Sequence, residues 1–205
     1  MELKICGLSK ILEVETCVAY NVNYCGFILN YPKSHRYISF EQARALTNIH
    51  REDTKYVGVL VKPSEKELET FSQLNFDYFQ LYGNYSDAKI FEIKKKTKKK
   101  IIASIQVEKK KDVQNFKNVE KAADIILWDS SGYEESLSWD FQWIKTILTS
   151  KKKMIAGNIT IEKLSDLTNI ADIIDVSGAL ETNKVKDIEK IKKFITKIKH
   201  INNEN

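Results

Sequence analysis

Eight short apolar runs recur along the chain at nearly even intervals, and this repetition constrains the fold more than any single motif. The runs cover residues 3–8, 24–29, 56–61, 76–82, 101–107, 124–129, 153–159 and 172–177. Each is about one strand long and rich in Ile, Val, Phe or Tyr, residue types that suit a pleated, buried surface. Their starts are separated by 21, 32, 20, 25, 23, 29 and 19 residues. The segments between them have helical rather than alternating periodicity. Leu12, Thr16, Ala19 and Tyr20 share one face of the first, and Leu68, Phe71 and Leu74 one face of the third. Ile188, Ile191, Phe194, Ile195 and Ile198 do so in the last. Ser39-Phe40-Glu41-Gln42 and Ser64-Glu65-Lys66-Glu67 read as capping boxes, and Thr160-Ile161-Glu162-Lys163 as an N-cap with a first-turn acid.

Eight strand–helix alternations predict a parallel sheet. Eight is also the strand number at which a closed barrel is just filled by its own side chains. The expectation is therefore an α/β protein: a single-domain (β/α)8 TIM barrel over residues 1–201, with a polar C-terminal tail at 202–205. An open doubly wound sheet is the alternative, but eight units are many for it. Cys6-Gly7-Leu8-Ser9 after the first strand also lacks a glycine-rich dinucleotide fingerprint.

Composition narrows the class. The 205 residues carry 33 Lys and Arg against 28 Asp and Glu, a net charge of +5. The lysines cluster at 94–96, 98–100, 109–111 and 151–153 without interleaved aromatics, as on a solvated surface. No specific nucleic-acid binding is expected. No apolar run nears the roughly 18 residues of a membrane span, and no signal peptide is apparent. Three cysteines, at 6, 17 and 25, form neither a disulfide framework nor a zinc spacing, and His35, His50 and His200 have no metal-like spacing. These features point to a soluble, reduced, cytoplasmic protein without a metal site; a monomer or homodimer is expected, a choice that composition does not make.

In such a barrel the chemistry sits at the C-terminal ends of the strands. Cys6, Gln80, Tyr82, Gln106 and Asp129 end strands one, four, five and six. Alternation puts Asp129 on the face of Ile125 and Leu127, with Trp128 turned toward the helices, and puts Cys6 on the face of Lys4. A lone cysteine is ordinarily a small buried hydrophobe, and Cys17 and Cys25 keep that reading. Arg36 has a planar fork that suits a carboxylate or a phosphate, although a surface ion pair would use it equally well. Gly157 and Asn158 follow the seventh strand; Ser177 and Gly178 follow the eighth. Small residues there let backbone N–H groups converge on an anion, so a phosphorylated ligand is expected.

The chain resembles the phosphoribosylanthranilate isomerase family of tryptophan biosynthesis over nearly its whole length. The resemblance is carried by Lys4-Ile5-Cys6-Gly7-Leu8, Gly26-Phe27-Ile28, Pro32-Lys33-Ser34-His35-Arg36-Tyr37-Ile38-Ser39 and Val57-Gly58-Val59-Leu60-Val61. Phe76-Asp77-Tyr78-Phe79-Gln80-Leu81-Tyr82-Gly83, Leu127-Trp128-Asp129-Ser130, Ile155-Ala156-Gly157-Asn158-Ile159, Asp175-Val176-Ser177 and Lys186-Asp187 continue it. It implies an Amadori rearrangement, an aldose–ketose isomerisation needing no cofactor, with Cys6 as general base and Asp129 as general acid. It further implies Arg36 near the anthranilate carboxylate, the two late loops around the phosphate, and Gln80 and Tyr82 among the substrate contacts.

Four features depart from the family pattern. Tyr82 replaces a histidine, Gln106 an arginine, residues 132–138 a glycine-rich loop, and Gly178-Ala179-Leu180-Glu181 a serine-glycine arrangement. Glu134 and Glu135 are expected to face solvent, where they do not repel an anionic substrate. A degenerate barrel that only binds phosphate, or another sugar-phosphate barrel enzyme, is the alternative.

Overall fold

The computed structural model describes residues 1–130 and 137–204. Its eight barrel strands are β1 (Glu2–Cys6), β2 (Tyr24–Ile28), β3 (Lys55–Val61), β4 (Tyr78–Tyr82), β5 (Lys100–Val107), β6 (Ile125–Ser130), β7 (Lys152–Ile155) and β8 (Ile173–Val176). Among the described residues they form a closed parallel barrel in chain order. β8 returns to β1 with Lys4 opposite Asp175 and Ile5 opposite Val176. The expected open sheet alternative is thereby set aside.

Alternation divides the apolar residues into two cores. Tyr24, Val57, Ile102, Ile125, Leu127, Met154 and Ile173 fill the lumen. The other face of each strand, with Leu3, Ile5, Phe27, Tyr56, Phe79 and Trp128, packs outward against the surrounding segments. Trp128 is fully buried there; its indole N–H donates to the Val113 carbonyl at 2.9 Å. That contact satisfies the one polar atom of a large ring.

The surround changes character halfway round. After β1 to β4 come regular helices: α1 (Ile11–Ala19), α2 (Phe40–Thr47), α3 (Glu65–Ser72) and α4 (Asp87–Thr97). Both expected capping boxes form. Gln42 N–H donates to Ser39 Oγ at 3.2 Å and Ser39 N–H to Gln42 Oε1 at 2.9 Å. At α3, Glu67 N–H donates to Ser64 Oγ at 3.2 Å and Ser64 N–H to Glu67 Oε2 at 2.7 Å.

After β5 and β6 the helical segments are 3₁₀ turns, Lys110–Asn118 and Phe141–Ile144. The first contains Asp112, Val113, Asn115 and Asn118, residues that lose χ1 freedom in a helix or compete for backbone hydrogen bonds. After β7 the expected helix start at Thr160 becomes a 3₁₀ turn, Ile161–Lys163, followed by the single-turn α5 (Leu164–Leu167). Thr160 supplies no side-chain cap, since its hydroxyl engages Glu162.

β8 leads through a 3₁₀ turn, Gly178–Leu180, into a hairpin of β9 (Glu181–Thr182) and β10 (Val185–Lys186), then α6 (Ile188–Glu204). The hairpin has no counterpart in the sequence-based expectation. Residues 202–204 continue α6 rather than forming a tail, and Asn202 Oδ1 accepts a hydrogen bond from the Met1 amine at 2.8 Å. Among the described residues no helix is long and apolar enough to cross a membrane.

Candidate active site

At the C-terminal end of the strands lies a cavity of about 140 Å³ whose walls include Cys6, Arg36, Tyr82, Asp129, Asp175 and Ser177. Gly157, Asn158 and Gly178 line it as well. Of the strand-end residues singled out in the sequence, Gln80 and Gln106 lie off the wall, Gln106 beside a separate hollow with Tyr85 and Asn115. Gln80 is nonetheless linked to the wall. Its fully buried side chain sits on the inner face of β4, and its Nε2 donates to the Tyr82 hydroxyl at 3.1 Å. Glu134 and Glu135, expected to face solvent, lie outside the described residues.

Cys6 closes β1 beside two charged groups. Lys4, two residues earlier on the same face, is fully buried, and its Nζ donates to Asp175 Oδ2 at 2.7 Å. Gly26, opposite Cys6 on β2, leaves space for both: a Cβ there would lie 2.9 Å from Cys6 Sγ and 3.1 Å from Lys4 Nζ. Burial works against the Lys4 ammonium, yet Asp175 and Cys6 raise its pKa overall, so it stays charged. Burial also pushes the Cys6 thiol above its ordinary range, against the opposing pull of Lys4. The cationic neighbour anticipated from sequence is present, but desolvation outweighs it.

Asp129 stands on β6. Its Oδ2 accepts a hydrogen bond from the Tyr82 hydroxyl at 2.5 Å, and its Oδ1 accepts one from Ser130 N–H at 2.8 Å. Burial, supported by the negative charge of Asp175, pushes its pKa up to about 6 against these hydrogen bonds and Lys4. A carboxyl group poised near 6 can hold or release a proton at neutral pH.

Arg36 reaches the cavity from the β2–α2 loop, and the backbone of Gly7 is what lets its stem pass. Gly7 has φ +77°, and a Cβ there would lie 2.4 Å from Arg36 Cδ. The Arg36 fork is engaged: Nε donates to Glu181 Oε1 at 2.5 Å and Nη2 to Glu181 Oε2 at 3.0 Å. Glu181 also takes Lys186 Nζ at 2.5 Å and His35 Nε2 at 3.0 Å. Despite burial, Arg36 and Lys186 hold the Glu181 carboxyl at about 2. The departure noted at the end of strand eight thus supplies the partner of Arg36. Lys186 Nζ lies 3.2 Å from both the carbonyl and the hydroxyl oxygen of Ser177, whose hydroxyl donates to the Cys6 carbonyl at 2.9 Å. Nothing in the sequence signals the buried Lys186 and the half-buried Glu181 as site residues, because a hairpin with two residues per strand leaves no period.

The two late loops face the cavity as expected. Gly157 has φ +115° and Asn158 φ +45°, and Asn158 Nδ2 donates to Ser138 Oγ at 2.9 Å. Among the described residues, no backbone acceptor is paired with the N–H groups of Gly157, Asn158 or Gly178. Unpaired amides of this kind on a concave wall favour an anion. Trp139 packs over Gly157 and donates its indole N–H to the Ala156 carbonyl at 2.8 Å, which fixes one side of this mouth.

The sequence profile of the N-(5'phosphoribosyl)anthranilate (PRA) isomerase family matches residues 3–197. N-(5'-phosphoribosyl)anthranilate isomerase of Streptococcus mutans is 33% identical over 201 residues, covering 97% of this chain and 98% of that one. The Streptococcus gordonii protein of the same name is 31% identical, with 97% of each chain covered. The crystal structure of phosphoribosyl anthranilate isomerase from Thermotoga maritima superposes with a TM-score of 0.87 at 26% identity, over 98% of this chain and 99% of that one. A phosphoribosyl anthranilate isomerase in complex with reduced 1-(o-carboxyphenylamino)-1-deoxyribulose 5-phosphate superposes with a TM-score of 0.83 at 26% identity, with 98% and 99% covered.

Proposed function

Because the chain belongs to the N-(5'-phosphoribosyl)anthranilate isomerase family, we propose that it converts this substrate to 1-(2-carboxyphenylamino)-1-deoxyribulose 5-phosphate with Cys6 as base and Asp129 as acid. The observation that carries the assignment is the presence of both groups on the wall of one cavity, beside unpaired backbone amides.

Asp129 gives its proton to the ribose ring oxygen as the C1–O bond breaks, and the anthranilate nitrogen forms an iminium with C1. The Cys6 thiolate then takes the proton from C2. The electron pair left behind moves toward the iminium nitrogen, and the resulting enolamine tautomerises to the ketose. The iminium is the electron sink, so no metal or organic cofactor enters the scheme. Gly157, Asn158, Ser177 and Gly178 would hold the phosphate. Arg36 would meet the anthranilate carboxylate with the part of its fork not taken by Glu181.

The two pKa values have a kinetic consequence. Asp129 titrates near 6, and Cys6 above its ordinary 9.0. Between these values the pair holds one proton, mostly on sulfur, whereas the reactive form has it on Asp129. The pH profile of kcat/KM should therefore be bell-shaped, with an acid-side limb near pH 6 set by Asp129 and an alkaline limb set by Cys6.

Three buried, unbridged cysteines accord with a reducing, cytoplasmic setting. The test is growth of a tryptophan auxotroph that lacks this isomerisation, together with turnover of the purified protein. Growth that disappears with Cys6→Ala and with Asp129→Asn supports the reading. A well-expressed wild-type chain that gives neither growth nor turnover overturns it.

A further inference from the structure

We propose that Tyr82 is a positioning residue for the proton on Asp129, its phenol acting as a fixed donor to the carboxylate with the Gln80 amide behind it. This rests on the reading of Asp129 as the acid. It differs from a substrate contact because the single phenolic proton is already directed at Asp129 Oδ2, at 2.5 Å.

The pattern begins in the strand. Gln80 and Tyr82 are two residues apart on β4 and so share its inner face. With the phenolic proton given to Asp129, the phenol oxygen toward Gln80 can only accept, which fixes the amide with its NH₂ toward Tyr82. The Gln80 carbonyl oxygen is then left buried with no hydrogen-bond partner among the described residues. An orphaned buried oxygen disfavours folding, so stability does not account for a glutamine here. Its donation to the phenol does, because a hydrogen bond to that oxygen strengthens the donation on to Asp129.

The groups facing the Asp129 carboxylate are Tyr82 from β4, Asp175 from β8 and Lys4 from β1; Gln106, opposite it on β5, is neutral. Burial and Asp175 favour the protonated acid. Tyr82, the Ser130 N–H and Lys4 favour the anion. Among these, Tyr82 donates the one side-chain hydrogen bond to Oδ2. Burial, with Asp129 and Asp175 nearby, keeps the phenol itself protonated well above its ordinary range, so it donates throughout the working pH range. In Tyr82→Phe the ring stays, while the donor to Asp129 and the acceptor for Gln80 Nε2 are lost.

The measurement is the titration of the Asp129 side-chain carboxyl by ¹³C NMR on the ligand-free protein, assigned with Asp129→Asn. We expect Tyr82→Phe to raise the midpoint by about one pH unit, and Gln80→Leu to raise it by a smaller amount in the same direction. The acid-side limb of kcat/KM should move by the same interval. A purely structural role would lower activity without moving either midpoint. Folded Tyr82→Phe protein titrating within about 0.3 unit of wild type overturns the proposal. Should Tyr82→Phe fail to fold, Gln80→Leu decides alone, since it keeps the phenol and removes the orphaned oxygen; an unmoved midpoint there is equally fatal. The titration needs no turnover. A shifted midpoint in an inactive wild-type protein would uphold the Tyr82 role and reject only the isomerase reading.

Discussion

The two halves of the barrel are built to different standards. Around β1 to β4 run α-helices of eight to eleven residues. Around β5 to β7 the same positions are filled by 3₁₀ turns and a four-residue helix. The regular half supplies Cys6, Arg36 and Tyr82; the irregular half supplies Asp129 and the small-residue loops at 157–158 and 177–178. A 3₁₀ turn has poorer hydrogen-bond geometry than an α-helix. Each half contributes to the site: Cys6 and its neighbour Lys4 stand on the first, and Asp129, Asp175 and the small-residue loops on the second.

The largest effect that can test this division is chemical. Cys6→Ala and Asp129→Asn should each lower kcat by roughly 10²- to 10⁴-fold, one from each half, in a steady-state assay. They should part on stability. A carboxyl raised from 3.8 to about 6 destabilises the fold once it is charged. Asp129→Asn should therefore gain roughly 2 kcal/mol in urea unfolding at pH 7–8, a gain that vanishes below about pH 4. A variant that is inactive and no more stable would contradict the burial of that charge.

Next comes Gly7→Ala, which forces a side chain into a left-handed turn and against the Arg36 stem. We expect a loss of about 1–3 kcal/mol and a raised KM, with kcat changed less. An unaltered KM would mean that Arg36 does not meet the substrate.

Glu181→Gln strips the carboxylate that Arg36, Lys186 and His35 share. The folded-state pKa of about 2 lies below the ordinary 4.5, so its stabilisation is present above pH 4.5 and fades as the pH falls toward 2. After allowance for screening at a half-buried site, about 1–2 kcal/mol should be lost at pH 7 and little at pH 2–3. A loss independent of pH would point to packing instead.

The smallest comparison contrasts the caps. Ser64→Ala should cost about 1 kcal/mol, and Thr160→Ala only a few tenths, because only Ser64 caps its helix. Equal costs in thermal unfolding would remove the asymmetry between the halves.

The strands were readable because burial on both faces makes each an apolar run. Where a run extended past its strand, as at 153–159, the chain had already turned at Gly157 and Asn158. Cys6 and Asp129 followed from alternation, since period two fixes which residues share the lumen. The regular helices announced themselves through Ser39 and Ser64. The 3₁₀ segments did not, because a helical period in apolar residues says nothing about how tightly the backbone winds. Least legible was the Glu181 cluster. Arg36 and Glu181 are 145 residues apart, and nothing local to either reveals that one closes on the other. The same holds for Asp175, whose partner Lys4 meets it only when the last strand reaches the first.

That last meeting has a bearing on how the molecule comes to life. During synthesis, the aspartate that anchors the ammonium beside the Cys6 sulfur is made 171 residues after that lysine. The Met1 amine and the Asn202 amide also clasp across 201 positions. Translation halted anywhere short of the eighth strand would leave a thiol without its electrostatic surroundings. The bond that matters runs between strands and not along the backbone, so it exists only once the circle of strands is complete.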